Sequence, residues 1–180
     1  MSEFLKKVEE IYSTRLKEGK RTIPRYSWFR ERIPEDAEDI LEVGCNSGDS
    51  AEWLAEMGYN VLAIDLPKVI KNIETKNLAS YVAQDIQEFR EDFVNEFDCV
   101  IMGEVIQHLE HPKNAIRNIY EYLRDGGTLL ISAIRDGRRD RLAINPFPDE
   151  TLVTFLEEHG FEVQEWKTHG AHIWVYAIKK

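Results

Sequence analysis

An α/β fold with a seven-stranded, mostly parallel sheet, helices on both faces and an antiparallel last strand is predicted by three observations. Short apolar runs alternate with segments of helical spacing from Pro34 onward. The first run passes into its helix through Gly44-Cys45-Asn46-Ser47-Gly48. The last two runs are separated only by Lys167-Thr168-His169-Gly170-Ala171, too short for a parallel crossover, so the final strand must run antiparallel to its predecessor.

Taken in order, Leu5, Val8, Ile11 and Tyr12 recur at helical spacing and predict an amphipathic opening helix. Ile23-Pro24 and Ile33-Pro34 bracket a segment carrying Tyr26, Trp28 and Phe29, so residues 1–34 read as a helical cap ahead of the sheet. Strands are predicted at 39–43, 60–64, 79–83, 97–102, 127–133, 161–166 and 172–178. Helices are predicted between them, at about 48–57, 67–75, 87–95, 112–123 and 149–159. Strands alternating with helices imply right-handed crossovers and a sheet covered on both faces.

At 180 residues the chain reads as one domain, 1–180, without a linker. With 43% hydrophobic and 31% charged residues it is neither disordered nor membrane-embedded, and no apolar run approaches the roughly 20 residues of a membrane span. Met1–Glu10 mixes charge with its apolar residues, so no secretory signal is read there. Cys45 and Cys99 are the only cysteines, which gives neither a disulfide framework nor a zinc spacing; a cytoplasmic location is the default. A net charge of −10 argues against binding nucleic acid through the bulk field.

The glycine turn is the first pointer to function. Glu42 ends the strand two residues before Gly44. A strand that closes on an acid and turns through glycines into a helix brings bare N–H groups near a ligand, while the carboxylate accepts hydrogen bonds from it. That suits a nucleoside with a polar or cationic tail. A dinucleotide site would instead space its glycines G-x-G-x-x-G, whereas the spacing here is G-x-x-x-G. An ordinary strand-to-helix turn is the alternative at this stage.

Further segments arrive in the order of one family. ILEVGCNSG resembles the first motif, E/D-x-G-x-G-x-G, of the class I S-adenosylmethionine-dependent methyltransferases; Asn46 stands at the middle glycine, and asparagine also visits positive φ. VLAIDLPK resembles the second motif, AQDIQEF the adenine-side segment, FDCVIMGEVIQHLEHP the fourth-strand motif and LRDGGTLLIS the turn into the fifth strand. The likeness runs from about Glu38 to Lys180. It implies a Rossmann-like fold and S-adenosylmethionine as cofactor, held by Glu42, Gly44, Cys45, Asn46, Gly48, Asp65, Leu66, Asp85, Ile86, Glu104 and Val105. Within that set Asp65 takes the ribose hydroxyls, Asp85 and Ile86 meet the adenine, and Glu42 lends negative potential to the amino-acid end. On residue chemistry alone, a cap for the helix near Pro67 is the lesser reading of Asp65, while Asp85 is equally a cap for the helix at 87–95.

Methyl transfer from a sulfonium is an in-line displacement, so a base is needed only if the nucleophile still holds its proton. His108, just past the fourth strand, is the candidate general base; a histidine that merely bonds its loop is the other reading. Glu104-Val105-Ile106-Gln107-His108 resembles an E-x-x-E-H pattern with which some members, ubiquinone-pathway O-methyltransferases among them, hold a divalent cation. Gln107 replaces the second acid, so no catalytic metal is expected.

Two basic clusters flank the places where this family covers its acceptor. Seven basic residues lie between Thr14 and Arg32, and four arginines between Arg135 and Arg141. Arg25, Tyr26, Trp28, Gln107, Arg135 and Arg138 are therefore the expected substrate-binding residues. The expected acceptor is a small molecule with an anionic group, methylated on oxygen or nitrogen, since arginine grips carboxylate or phosphate bidentately. RNA or protein as acceptor, and a non-catalytic S-adenosylmethionine-binding scaffold, are the alternatives. Nothing in the sequence points to an oligomeric state.

Overall fold

The apolar runs of the sequence become strands, buried at the centre of the sheet and more exposed at its two edges. In the computed structural model, which describes residues 1–14, 24–74, 78–135, 140, 142–148 and 150–180, they are β1 (Asp39–Val43), β2 (Asn60–Asp65), β3 (Ser80–Ala83), β4 (Phe97–Gly103), β5 (Leu123–Ile134), β6 (Phe161–His169) and β7 (His172–Lys179). They form one sheet in the order β3-β2-β1-β4-β5-β7-β6. β1 pairs in parallel with β2 and β4, β2 with β3, and β4 with β5. β7 slots between β5 and β6, antiparallel to both, so it alone is reversed, as expected.

Period-2 alternation sorts the strand residues between two cores. Leu41, Val43, Val100, Met102, Leu129 and Ile131 pack beneath α5 (Pro112–Tyr122) and α6 (Thr151–Glu157). Ile40, Cys99, Ile101 and Leu130 pack on the other face with Ala51 and Leu54 of α3 (Asp49–Glu56), and with Trp28 and Phe29 of α2 (Pro24–Arg30). Proline opens both α4 (Pro67–Lys71) and α5, where its missing N–H leaves no hydrogen bond unmade. α1 (Glu3–Thr14) is capped by Ser2, whose hydroxyl accepts from the Leu5 N–H at 3.1 Å.

Two sequence expectations are corrected. No helix covers 87–95; the segment holds only a short 3₁₀ turn, Glu91–Phe93. Its backbone is diverted by other partners: the Asp85 carboxylate accepts from the Gln87 N–H at 2.9 Å, the Tyr122 hydroxyl from the Arg90 N–H at 2.8 Å, and Asn95 sits at φ 55°. α4 stops at Lys71 rather than near 75, and residue 75 lies outside the described residues. Within the segment expected to be a helical cap, the proline-bracketed stretch forms α2. At the other end, β6 and β7 extend toward each other until only Gly170 and Ala171 separate them, with His169 opposite His172. Gly170, at φ 58°, supplies the left-handed residue of that turn.

The order of strands reverses between β1 and β4: the chain winds outward through β2 and β3, then returns to β4 and β5. A crevice opens outside the carboxyl ends of the strands at such a switch point.

Candidate active site

The crevice is floored by the turn after β1. Gly44, Asn46 and Gly48 adopt φ of 75°, 50° and 77°. The Gly44 N–H is held by the Ile64 carbonyl at 2.8 Å, and a Cβ on Gly44 would lie 2.2 Å from Cγ2 of Val105, so the turn and the end of β4 touch with no room for a side chain. Alternation turns Glu42 toward α3, where it is 3% exposed and accepts from the Ser50 hydroxyl. Cys45 is buried beside it, and burial with the charges of Asp65 and Glu42 pushes its thiol up, away from reactivity.

At the end of β2, Asp65 receives the Asn46 N–H on Oδ2 at 2.9 Å and the Leu66 N–H on Oδ1 at 2.7 Å. Burial raises its carboxyl to about 6 against the lowering effect of those two bonds, with the charge of Glu9 adding to the rise. After β3, Asp85 and the buried Ile86 continue the same bank. Gln84 anchors that loop by donating to the carbonyls of Asp85 and Glu88.

The opposite bank is built from the ends of β4, β5 and β7. Glu104, at φ 62°, lies 2.7 Å from an Arg25 guanidinium nitrogen and 2.6 Å from Nδ1 of His172. His108 is 5% exposed. Its Nδ1 lies 3.0 Å from the Leu142 carbonyl, and a carbonyl only accepts, so Nδ1 carries the proton in the neutral ring and Nε2 is the basic nitrogen. Around Nε2 stand the Tyr12 hydroxyl at 3.1 Å, Asp140 Oδ2 at 3.2 Å and the Gln107 amide at 3.3 Å. The loop after β5 is stitched to this turn: the backbone carbonyl of Gln107 accepts from Ile144 and Asn145. α1 lies over the crevice and offers Leu5, Val8 and Tyr12 to it.

The family model described as a methyltransferase domain matches residues 12–167 of this chain. The chain belongs to that family. Its structural neighbours include the N-methyltransferase NodS from Bradyrhizobium japonicum in complex with S-adenosyl-L-homocysteine, with TM-score 0.76 and 23% identity, covering 96% of this chain and 97% of that one. The Burkholderia thailandensis 1,6-didemethyltoxoflavin-N1-methyltransferase aligns with TM-score 0.78 and 16% identity over 99% of this chain and 89% of that one. Among curated relatives, the Ubiquinone biosynthesis O-methyltransferase of Xanthomonas campestris pv. campestris is 29% identical over 116 residues, 61% of this chain and 48% of that protein. Its namesake from Rickettsia typhi is 37% identical over 103 residues, 53% of this chain and 40% of that protein. The chain spans about half the length of the curated relatives it matches, or less.

The methyltransferase cofactor is S-adenosylmethionine, and the crevice has groups to fit it. Asn46 Oδ1 and Arg25 Nε are buried without a hydrogen-bond partner in a crevice both residues line. Asp65 offers a carboxylate whose inner lone pairs are already taken by backbone, leaving the rest to a ligand. Gly44, Cys45, Asn46, Asp65, Leu66, Asp85, Ile86, Glu104 and Val105 all line the crevice, as do Arg25, Tyr26 and His108. Gly48 lies behind the turn, at the start of α3, and Glu42 lies beneath it.

Three residues expected at the acceptor lie elsewhere. Trp28 is buried against Phe29 and Trp174, with the Arg32 guanidinium 4.0 Å above its ring. Gln107 is 1% exposed and donates to the Glu104 carbonyl at 2.9 Å, so it braces the turn instead of meeting a ligand. Arg135 reaches the Gly170 carbonyl beside the β6–β7 hairpin. Arg138 lies outside the described residues. What the sequence reading missed is α1: its stripe Leu5, Val8, Tyr12 was legible as amphipathic, and nothing local told a core-facing stripe from a ligand-facing one.

Proposed function

We propose that this methyltransferase moves a methyl group to a hydroxyl oxygen of a small acceptor, with His108 as the general base. The observation that carries the reading is the orientation of His108, whose basic Nε2 stands in the wall of the crevice while the other nitrogen is fixed to a backbone carbonyl. A hydroxyl needs such a base because its proton must leave as the oxygen attacks. The named O-methyltransferase relatives support oxygen over nitrogen.

S-adenosylmethionine, when bound, supplies an electrophilic methyl on a sulfonium. Asp65 would accept from the ribose hydroxyls, Asp85 and Ile86 would flank the adenine, and the Arg25 guanidinium, with its free Nε, would take a carboxylate at the amino-acid end. Leu5, Val8 and Leu109 exclude water and give the acceptor an apolar body to rest on. His108 accepts the acceptor proton at Nε2, and Asp140 faces the imidazolium so formed. An anionic acceptor loses support, because the Arg25 guanidinium is shared by Glu104 and the cofactor carboxylate and the crevice is also lined by Asp49, Asp65 and Asp85. Cys45 and Cys99, both free and buried, support a cytoplasmic setting.

The test is S-adenosylhomocysteine formation from S-adenosylmethionine with 3,4-dihydroxybenzoate and other small phenols as acceptors. His108→Asn is expected to lower kcat by about 10²–10⁴-fold while leaving S-adenosylhomocysteine affinity within twofold or so. Undiminished turnover in that variant would remove the base from the mechanism.

A further inference from the structure

α1 is fastened to both banks of the crevice. On one side Ser2 bonds Glu110, and the Tyr12 hydroxyl meets His108. On the other, the Glu9 carboxylate accepts the Lys68 N–H through Oε1 at 2.9 Å, and the Ser13 carbonyl accepts from the Asn72 amide at 3.3 Å. Between these fastenings Leu5, Val8 and Tyr12, spaced for one helical face, look into the crevice.

Glu9 differs from its neighbours in this set. It is a carboxylate only 2% exposed, and its hydrogen bond goes to backbone, with the Lys68 ammonium 4.0 Å from its other oxygen. Lys68 is the second residue of α4, so the N–H it gives is one that no carbonyl within that helix can satisfy. Three residues earlier in the chain is Asp65, the carboxylate expected to hold the ribose. Glu10, next to Glu9, pairs with the exposed Lys68 ammonium at 2.9 Å and needs no burial to do so.

We propose that Glu9 is a positioning residue for the cofactor: by capping α4 it holds α1 as a strap across the crevice, and it sets how long the cofactor stays bound. Cofactor beneath the strap leaves only after the Glu9–Lys68 bond opens. Its loss therefore speeds exit and entry alike, because the strap must be lifted for either. The Coulombic influence of Glu9 on Asp65 fits this placement, since it puts both carboxylates on the ribose side. The inference rests on the cofactor alone and not on His108, so the failure of either leaves the other standing.

The experiment is stopped-flow measurement of S-adenosylhomocysteine binding and release on the full chain, with hydrogen exchange of residues 3–14 measured in parallel. Glu9→Ala is expected to release the ligand on the order of tenfold faster, the size of a lost carboxylate cap, and to admit it faster by a similar factor. Glu9→Gln keeps an acceptor oxygen and is expected to recover most of the wild-type residence time. Glu10→Ala, which removes the exposed ion pair with Lys68, is expected to change it less than about twofold. Ligand should slow exchange in α1 of the wild type and of Glu9→Gln, and much less in Glu9→Ala. Unchanged release from Glu9→Ala, with α1 exchanging faster, would overturn the proposal, because α1 would then move without consequence for the ligand. If Glu9→Ala does not fold, Glu9→Asp takes its place, since its shorter side chain withdraws the acceptor from the Lys68 N–H: faster release upholds the proposal, and release at the wild-type rate sinks it.

Discussion

Gly44 and Gly58 both have positive φ, at 75° and 102°, yet only one is crowded. A Cβ at Gly58 meets nothing within 4 Å, whereas at Gly44 it would collide with Val105. Gly58→Ala is therefore expected to cost roughly 1–2 kcal/mol, from conformation alone. Gly44→Ala adds about 1–3 kcal/mol of overpacking and separates the turn from β4; thermal unfolding and calorimetric titration with S-adenosylhomocysteine check both effects. Asp65 gives a pH signature. Its folded-state carboxyl is raised to about 6, so its contribution to stability is present below the ordinary carboxylate range and is lost as pH rises through about 6. Cofactor binding goes the other way, since the ionised form accepts from the ribose: affinity for S-adenosylhomocysteine should rise from pH 5 to pH 7, about these limits, and Asp65→Asn should flatten that rise. An unchanged profile in Asp65→Asn would mean another group titrates. These carboxylates and glycines were legible in the sequence because their chemistry depends on a short local spacing. Trp28 and Gln107 were not, since an aromatic or amide side chain near a motif does not reveal which way it faces.

At the scale of elements, the segment after β3 is the instructive failure. Residues 87–95 carry the composition of a helix, but Asp85, Gln87 and Arg90 each find a partner outside helical geometry, and α5 completes the hold by donating from the buried Asn118 amide to the Ile86 carbonyl at 2.7 Å. Local propensity lost to tertiary hydrogen bonds. Asn118→Ala should cost about 1–3 kcal/mol, leaving a buried carbonyl without its donor, and should weaken S-adenosylhomocysteine binding through the loosened Asp85–Ile86 bank. Stability loss with unchanged affinity would show that the bank keeps its shape without α5. The strands fared better. Each of the seven was legible because apolar runs bounded by turns leave few alternatives in an alternating chain. The bounds of α2 within the expected helical cap were not legible, because seven residues give too few turns for a period to register.

At the scale of the molecule, the seven-stranded sheet followed from alternation plus one short connection, while the crevice roof did not, because it depends on where α1 docks. The charge of −10 governs partners. Single-stranded poly(U) is expected to show no binding at physiological salt by fluorescence anisotropy; affinity that falls steeply with added salt would contradict this and reopen the RNA reading. The sheet order also has a consequence for biosynthesis. β7 is the last of these seven strands to be made, yet it fills an interior slot, between β5 and β6. A ribosome delivering this chain releases β5 with one edge bare, and that edge remains an open template for foreign strands until residues 172–179 emerge. The two-residue turn at Gly170 and Ala171 then lets β6 and β7 close as a local hairpin and dock together, which shortens the interval of exposure.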